Sequence, residues 1–225
     1  MIVDLNLKDR KVLVIGAGSE GTKRIENLSK QGCQIIILSE AVNESLYELE
    51  GVGRYPIIII RRRIKDMDLL DKFDGIFLIL AATNDPSLNR TIVKEAKKRN
   101  ILSYSIDSSS SGDLFFTSTI SFDDVIHVSV STSGKSPLMS KMIRDRIENN
   151  IKNIIGQNDI DNIIIQEFAR AQVKKYIRDQ QERRNFLYGL VYDDEIQELI
   201  SKKNIDKVKE RILKTLDKWE GNKIG

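Results

Sequence analysis

The sequence predicts an α/β fold: a doubly wound parallel sheet, then a small hairpin-plus-helix segment, then a C-terminal helical region. Three observations predict it. Apolar runs of strand length alternate with helical patterns from residue 11 to residue 106, the order that lays parallel strands side by side under covering helices. The first run, Val12-Leu13-Val14-Ile15, breaks into Gly16-Ala17-Gly18-Ser19-Glu20-Gly21 and then a helical pattern, the strand, turn and helix start of a Rossmann-type domain. From Asp159 onward, apolar residues recur only at helical spacing. The chain divides accordingly into residues 1–112, 113–150 and 151–225.

In the first turn each glycine has its own task. Gly16 permits the tight turn off the strand, Gly18 lets backbone approach a pyrophosphate with no Cβ in the way, and Gly21 allows the helix to pack closely. Phosphates would then meet the N–H groups and positive dipole of the helix that begins at Ser19 and Glu20. Glycines alone do not make a nucleotide site; the strand before them and the helix over residues 20–31 supply the context. The next apolar run, residues 35–38, ends at Ser39-Glu40-Ala41. Glu40 lies about 20 residues beyond the loop, where a carboxylate accepts hydrogen bonds from the adenosine ribose hydroxyls, with Ala41 beside it. No arginine follows directly, which favours NAD over NADP. The competing account is a glycine turn in an unrelated α/β domain.

The remaining elements follow in order. Residues 41–52 read as a short helix ending at Gly51-Val52-Gly53-Arg54, residues 55–60 as a strand and residues 66–72 as a short helix. Arg61-Arg62-Arg63 reads as a solvated stretch, since no aromatic residues interleave as a nucleic-acid surface would need. Residues 75–82 are continuously apolar, as expected of a strand covered on both faces. That run stops at Thr83-Asn84-Asp85-Pro86, where Pro86 presets the first turn of a helix over residues 87–99. A strand over residues 101–106 ends on Asp107. Gly16, Glu40, Thr83 and Asp107 thus all fall at carboxyl ends of strands, where ligands of such sheets bind.

The tract Ser108-Ser109-Ser110-Ser111-Gly112 is either a linker or a loop beside the site. Strands over residues 114–120 and 125–131 then form a hairpin, with the single histidine, His127, in the second. Gly134-Lys135-Ser136 lacks the earlier glycine of a phosphate-binding P-loop, because Ser129 stands there, so triphosphate hydrolysis is excluded. Ser136 instead caps a helix that Pro137 opens, with Leu138, Met142, Ile143 and Ile147 on one face. A hairpin plus one helix is too small to bury its own core, so a second subunit is expected to cover it. Helices over residues 194–202 and 204–219 close the chain.

Composition sets outer bounds. With 36 basic against 33 acidic residues the net charge is +3, too small to argue for nucleic acid. One cysteine, Cys33, excludes an internal disulfide or a cysteine-based metal cluster and reads as a small buried filler. No apolar run reaches bilayer length and the N-terminus has no leader pattern, so a cytoplasmic protein without membrane association is expected.

Taken together, Gly16-Ala17-Gly18 after a strand, Ala81-Ala82-Thr83-Asn84-Asp85-Pro86-Ser87-Leu88-Asn89, Asp107 and Ser131-Thr132-Ser133-Gly134-Lys135-Ser136-Pro137 resemble the precorrin-2 dehydrogenase and sirohydrochlorin ferrochelatase family of siroheme biosynthesis. The order and spacing of all four carry the resemblance, which covers residues 1–150. The chain departs from the family pattern at Ser133-Gly134, where two glycines are usual, at Tyr104 (asparagine) and at Thr117 (proline). The resemblance implies NAD-dependent oxidation of precorrin-2 to sirohydrochlorin, insertion of ferrous iron in some members, and a homodimer joined through residues 113–150. No fused methyltransferase domain is expected, since the chain stops at Gly225. It also assigns Asp107 as the base for the proton that accompanies hydride transfer, and places Ser136 toward the substrate. For Asp107 the alternative is a strand-end turn residue, and for Ser136 it is the helix cap alone. A reading from a different class is an NAD(H)-sensing regulatory module, which also joins a glycine loop to a strand ending in Ala-Thr.

Overall fold

Strands with apolar residues at every position need cover on both faces, and the computed structural model of this chain provides it. It describes residues 2–49, 55–64, 67–108, 111–151 and 153–219. Two units, Met1–Phe116 and Thr117–Gly225, follow one another along the chain.

The first unit is built on β1 (Lys11–Ala17), β2 (Gln34–Val42), β3 (Ile58–Arg61), β4 (Ile76–Ala81) and β5 (Leu102–Ser105), all parallel in the order β3-β2-β1-β4-β5. Alternate residues point to opposite faces. Val12, Val14, Ile35, Ile37, Leu78 and Leu80 meet Ile25 and Leu28 of α1 (Ser19–Ser29). Leu13, Ile15, Ile36, Leu38 and Ile79 meet Ile92, Val93 and Ala96 of α2 (Pro86–Lys98). The two helices leave β1 and β4 for opposite faces, so a crevice opens between these neighbouring strands at their carboxyl ends. Edge strand β5 is covered by the chain itself. Asp113 and Leu114 N–H donate to Ser103 O at 2.7 and 3.2 Å, while Ser103 N–H and Oγ donate to Asp113 Oδ2 at 3.0 and 2.6 Å.

Several local expectations are corrected. The helix expected over residues 41–52 is not there among the described residues. Pairing resumes at Ala17↔Val42 after a register shift, so β2 runs on through Val42, and Asn43 then caps only a 3-10 turn at Glu44–Leu46. The turn at residues 51–54 lies outside the described residues. The strand expected at residue 55 begins at Ile58, opposite Ile36, because Pro56 has no N–H to offer a ladder. The short helix at residues 66–72 is a 3-10 stretch at Asp68–Lys72, with residue 66 outside the described set. Residues 114–117 are not strand: Leu114 packs along β5, and Phe116 meets Tyr104 edge-on with ring centroids 4.6 Å apart.

The second unit opens with the antiparallel hairpin β6 (Ser118–Phe122) and β7 (Ile126–Val130). Val125 N–H donates to Phe122 O at 2.9 Å, and both turn residues, Asp123 and Asp124, are left-handed at φ 49° and 53°, a conformation aspartate tolerates. Helix α3 (Pro137–Ile151) packs on the hairpin but leaves Leu138 67% exposed, with Met139 and Met142 also open to solvent. Then come α4 (Gln157–Tyr176), α5 (Gln180–Val191), α6 (Asp194–Ser201) and α7 (Ile205–Asp217), which share a core of Ile165, Phe186, Ile196, Val208 and Ile212. Helix α5 is separated from α4 because Asp179 accepts from Glu182 N–H and starts a new helix; Asp193 does the same for α6.

Candidate functional site

The carboxyl edge of the sheet is shaped first by what a side chain would hit. Gly16 has φ +99°, and a Cβ there would lie 2.4 Å from Ala82 O; one on Gly21 would lie 2.4 Å from Gly16 O. Both positions therefore hold the loop tightly between β4 and α1. Gly18 differs: a Cβ there would meet nothing within 4 Å. Its glycine leaves open space in front of α1, and no side chain caps that helix. An uncapped helix start faced by empty space suits a pyrophosphate, so the residues fit a dinucleotide.

Ser19 and Glu20 are exposed in the first turn of α1. Lys23 donates to Glu20 at 2.5 Å, and that hydrogen bond holds the Glu20 carboxyl below the usual carboxylate range. Ser39 joins the loop to the end of β2: its Oγ accepts from Ala17 N–H at 3.1 Å and donates to Ala41 O at 2.6 Å. Glu40 is exposed beyond it, 3.9 Å from Arg63 Nε. The parallel register that sets Ser39 opposite Arg61, with Arg62 N–H donating to Ser39 O at 3.1 Å, brings Arg63, the last of the basic triplet, to this carboxylate.

At the other end, Thr83 and Asp107 are tied together by the last residue of the motif that begins at Ala81, to which the sequence assigns no role of its own. Asn89, on α2, is fully buried. Its Oδ1 accepts from Thr83 N–H at 3.1 Å and Thr83 Oγ1 at 2.7 Å; its Nδ2 donates to Thr83 O at 3.1 Å and to Asp107 Oδ1 at 3.2 Å. Ser105 Oγ also donates to Asp107 Oδ1, at 2.5 Å. Two donors thus fix one oxygen of an exposed carboxylate and leave Oδ2 without a partner among the described residues. That is a suitable arrangement for an oriented base.

Gly16, Gly18, Ser19, Glu20, Glu40, Ala41, Thr83 and Asp107 therefore share one edge of the first unit. Ser136 belongs to the second unit, where Met139 N–H donates to its Oγ at 3.2 Å and caps α3. His127 is exposed on β7, and no group of three histidine, cysteine or acidic side chains able to hold a metal occurs among the described residues. Cys33 is buried and donates to Leu28 O at 3.3 Å, as a packed filler would. No helix among the described residues is long and apolar enough to cross a membrane.

Comparison with known proteins agrees with this geometry. The family model "Putative NAD(P)-binding" matches residues 3–118, and the model "Sirohaem biosynthesis protein central" matches residues 128–150. Siroheme synthase 1 of Yersinia enterocolitica is 26% identical over 213 residues, 94% of this chain but 42% of that protein. Precorrin-2 dehydrogenase of Methanosarcina barkeri is 27% identical over 85% of this chain and 83% of its own. The chain thus spans about two fifths of the first of these and most of the second. Among solved structures, "SirC, precorrin-2 dehydrogenase" superposes with a TM-score of 0.69 over 97% of this chain and all of that one, at 22% identity, which establishes the shared fold. With a nicotinamide-nucleotide domain matched from residue 3 to residue 118 and the sirohaem central segment after it, the chain belongs to the NAD(P)-binding family of the siroheme synthases and precorrin-2 dehydrogenases.

Proposed function

We propose that the protein oxidises precorrin-2 to sirohydrochlorin with NAD as hydride acceptor. The observation that carries this reading is the Asp107 carboxylate, fixed by Asn89 and Ser105 on the same sheet edge as the glycine loop. Oxidation removes a hydride and a proton from the macrocycle. The nicotinamide, when bound, supplies the hydride acceptor; Asp107 Oδ2 takes the proton. Gly18 and the start of α1 hold the pyrophosphate, Glu40 and Ala41 the ribose, and Thr83 the approach to the nicotinamide. Ser136 is assigned to the substrate side.

Residues 1–112 form the nucleotide domain in this reading, 113–150 the dimerisation segment and 151–225 the helical domain. The uncovered Leu138, Met139 and Met142 on α3 support a homodimer, so Leu138→Asp with Met142→Asp is expected to halve the mass seen by light scattering. The cytoplasm is the proposed compartment. Insertion of ferrous iron, the second reaction of some relatives, would rest on Asp107 and the macrocycle's own nitrogens. The match at residues 128–150 speaks against a purely regulatory nucleotide sensor.

The test is anaerobic turnover. Purified protein given precorrin-2 and NAD is expected to develop the sirohydrochlorin absorbance with matching NADH formation, and Asp107→Ala to abolish it while retaining nucleotide binding. A protein that binds NAD but leaves precorrin-2 unchanged overturns the proposal.

A further inference from the structure

The helical unit contains a feature that the dehydrogenase reading does not use. Between α4 and α5 lies an open cleft of about 630 Å³, within the range of small-molecule sites. Gln166 Nε2 donates across it to Leu187 O at 3.0 Å and fixes the spacing of the two helices. Four cations line it, Arg170, Lys174, Arg183 and Arg184, and no carboxylate does. None of the four has an ion pair among the described residues. Arg183 is braced by backbone, donating to Arg178 O at 3.0 Å and Asp179 O at 3.3 Å. The Arg184 guanidinium sits 5.5 Å from the Tyr188 ring centre. Val173 and Leu187 give the cleft an apolar floor.

The groove between α6 and α7 differs: it sets Glu195 and Glu210 beside Lys207, Arg211, Lys214 and Lys218, with Arg211 paired to Glu195 at 2.6 Å. An uncompensated set of four around an apolar floor focuses positive potential on one spot, and guanidinium forks match carboxylates in pairs. An occupant that satisfies both features has a broad apolar body with several carboxylates on its rim.

We propose that the α4–α5 cleft binds a carboxylate-rich tetrapyrrole through residues that the cofactor reading does not use; the choice of a tetrapyrrole over other polycarboxylates rests on the dehydrogenase reading above. Arg170, Lys174 and Arg184 take the rim carboxylates, while Val173, Leu187 and Tyr188 meet the macrocycle.

The probe is uroporphyrin, which carries carboxylates on every pyrrole, titrated into the full-length protein by fluorescence quenching. In Arg170→Ala/Lys174→Ala/Arg184→Ala, whose three positions are exposed, affinity is expected to fall about tenfold or more, with melting temperature and NAD affinity unchanged. A control, Lys94→Ala/Lys202→Ala/Lys207→Ala, removes the same charge from other exposed sites and is expected to leave affinity unaltered. Unchanged affinity in the cleft variant, or an equal loss in the control, overturns the proposal. Citrate competing as well as uroporphyrin would overturn the tetrapyrrole assignment. Precorrin-2 turnover by the wild type is followed in parallel. Turnover with cleft-independent porphyrin binding removes the cleft and keeps the dehydrogenase; cleft-dependent binding without turnover does the reverse.

Discussion

Asn89→Ala removes the side chain that joins Thr83 to Asp107. The amide is fully buried and makes four hydrogen bonds, three to Thr83 and one to Asp107. Alanine strands the Thr83 N–H and carbonyl, at a cost of about 1–3 kcal/mol, and leaves a small void worth ~1 kcal/mol. Better helix propensity returns about 0.5 kcal/mol. The net loss of about 1.5–3.5 kcal/mol lowers the melting temperature of the nucleotide-binding unit by roughly 6–15 °C. Turnover is expected to fall about tenfold, because Asp107 keeps only Ser105 as a donor and no longer holds one orientation, while nucleotide affinity stays within about threefold. Asn89→Asp separates geometry from charge. It keeps the shape but sets a second carboxylate about 3 Å from Asp107, so the pair retains one proton and its pKa rises in the folded state. A raised carboxyl pKa contributes stability below the unfolded value and loses it as pH climbs through the folded one. This variant is therefore expected to weaken from about pH 4 toward neutrality, and the acid limb of its kcat/KM profile to move up by about one unit or more. Thermal melts and anaerobic kinetics across that limb measure both effects. Wild-type turnover in Asn89→Ala together with an unshifted profile in Asn89→Asp would refute the role given to this hydrogen-bond chain.

Four further outcomes are expected. Gly18→Ala, with open space at its Cβ, should fold normally but bind NAD about tenfold more weakly, whereas Gly16→Ala, at φ +99° and 2.4 Å from Ala82 O, should fail to give stable protein; calorimetry and nucleotide titration distinguish the two. Burial pushes the Cys33 thiol up, so thiol reagents at mildly alkaline pH are expected to label it only after denaturant is added. Hydrogen bonds from Lys98 and Arg99 hold the Glu95 carboxyl below its usual range, so its contribution to stability is present above that range and lost as pH falls through the lowered value; Glu95→Gln should flatten the acid side of the stability curve. Arg63→Ala is expected to raise the preference for NAD over NADP about two- to fivefold by unmasking Glu40, and an unchanged ratio of the two affinities would exclude that pairing.

What the chain order conceals is mostly a matter of which neighbours the sheet creates. The glycine loop was legible because its signature is local, three glycines within six residues, although the contact that holds Gly16 comes from Ala82 just past β4. The inner strands were legible too, since burial on both faces writes itself as an unbroken apolar run. The helix expected over residues 41–52 failed because pairing between Ala17 and Val42 overrode local preference. Asn89 stood in the motif that begins at Ala81, but its role was not legible: it is a polar residue on the stripe that α2 buries with Val93 and Ala96, and its partners lie six and eighteen residues away.

The same logic bears on cofactor choice. No arginine follows Glu40 along the chain, yet the β2–β3 register delivers Arg63 to within 3.9 Å of it. An unpaired carboxylate there would accept ribose hydroxyls and repel a 2′-phosphate. Partly neutralised by an exposed guanidinium, it discriminates less, because the cation that offsets Glu40 is also the group a 2′-phosphate would seek. In the proposed NAD site, selectivity then follows from a balance between Glu40 on β2 and Arg63 just past the end of β3.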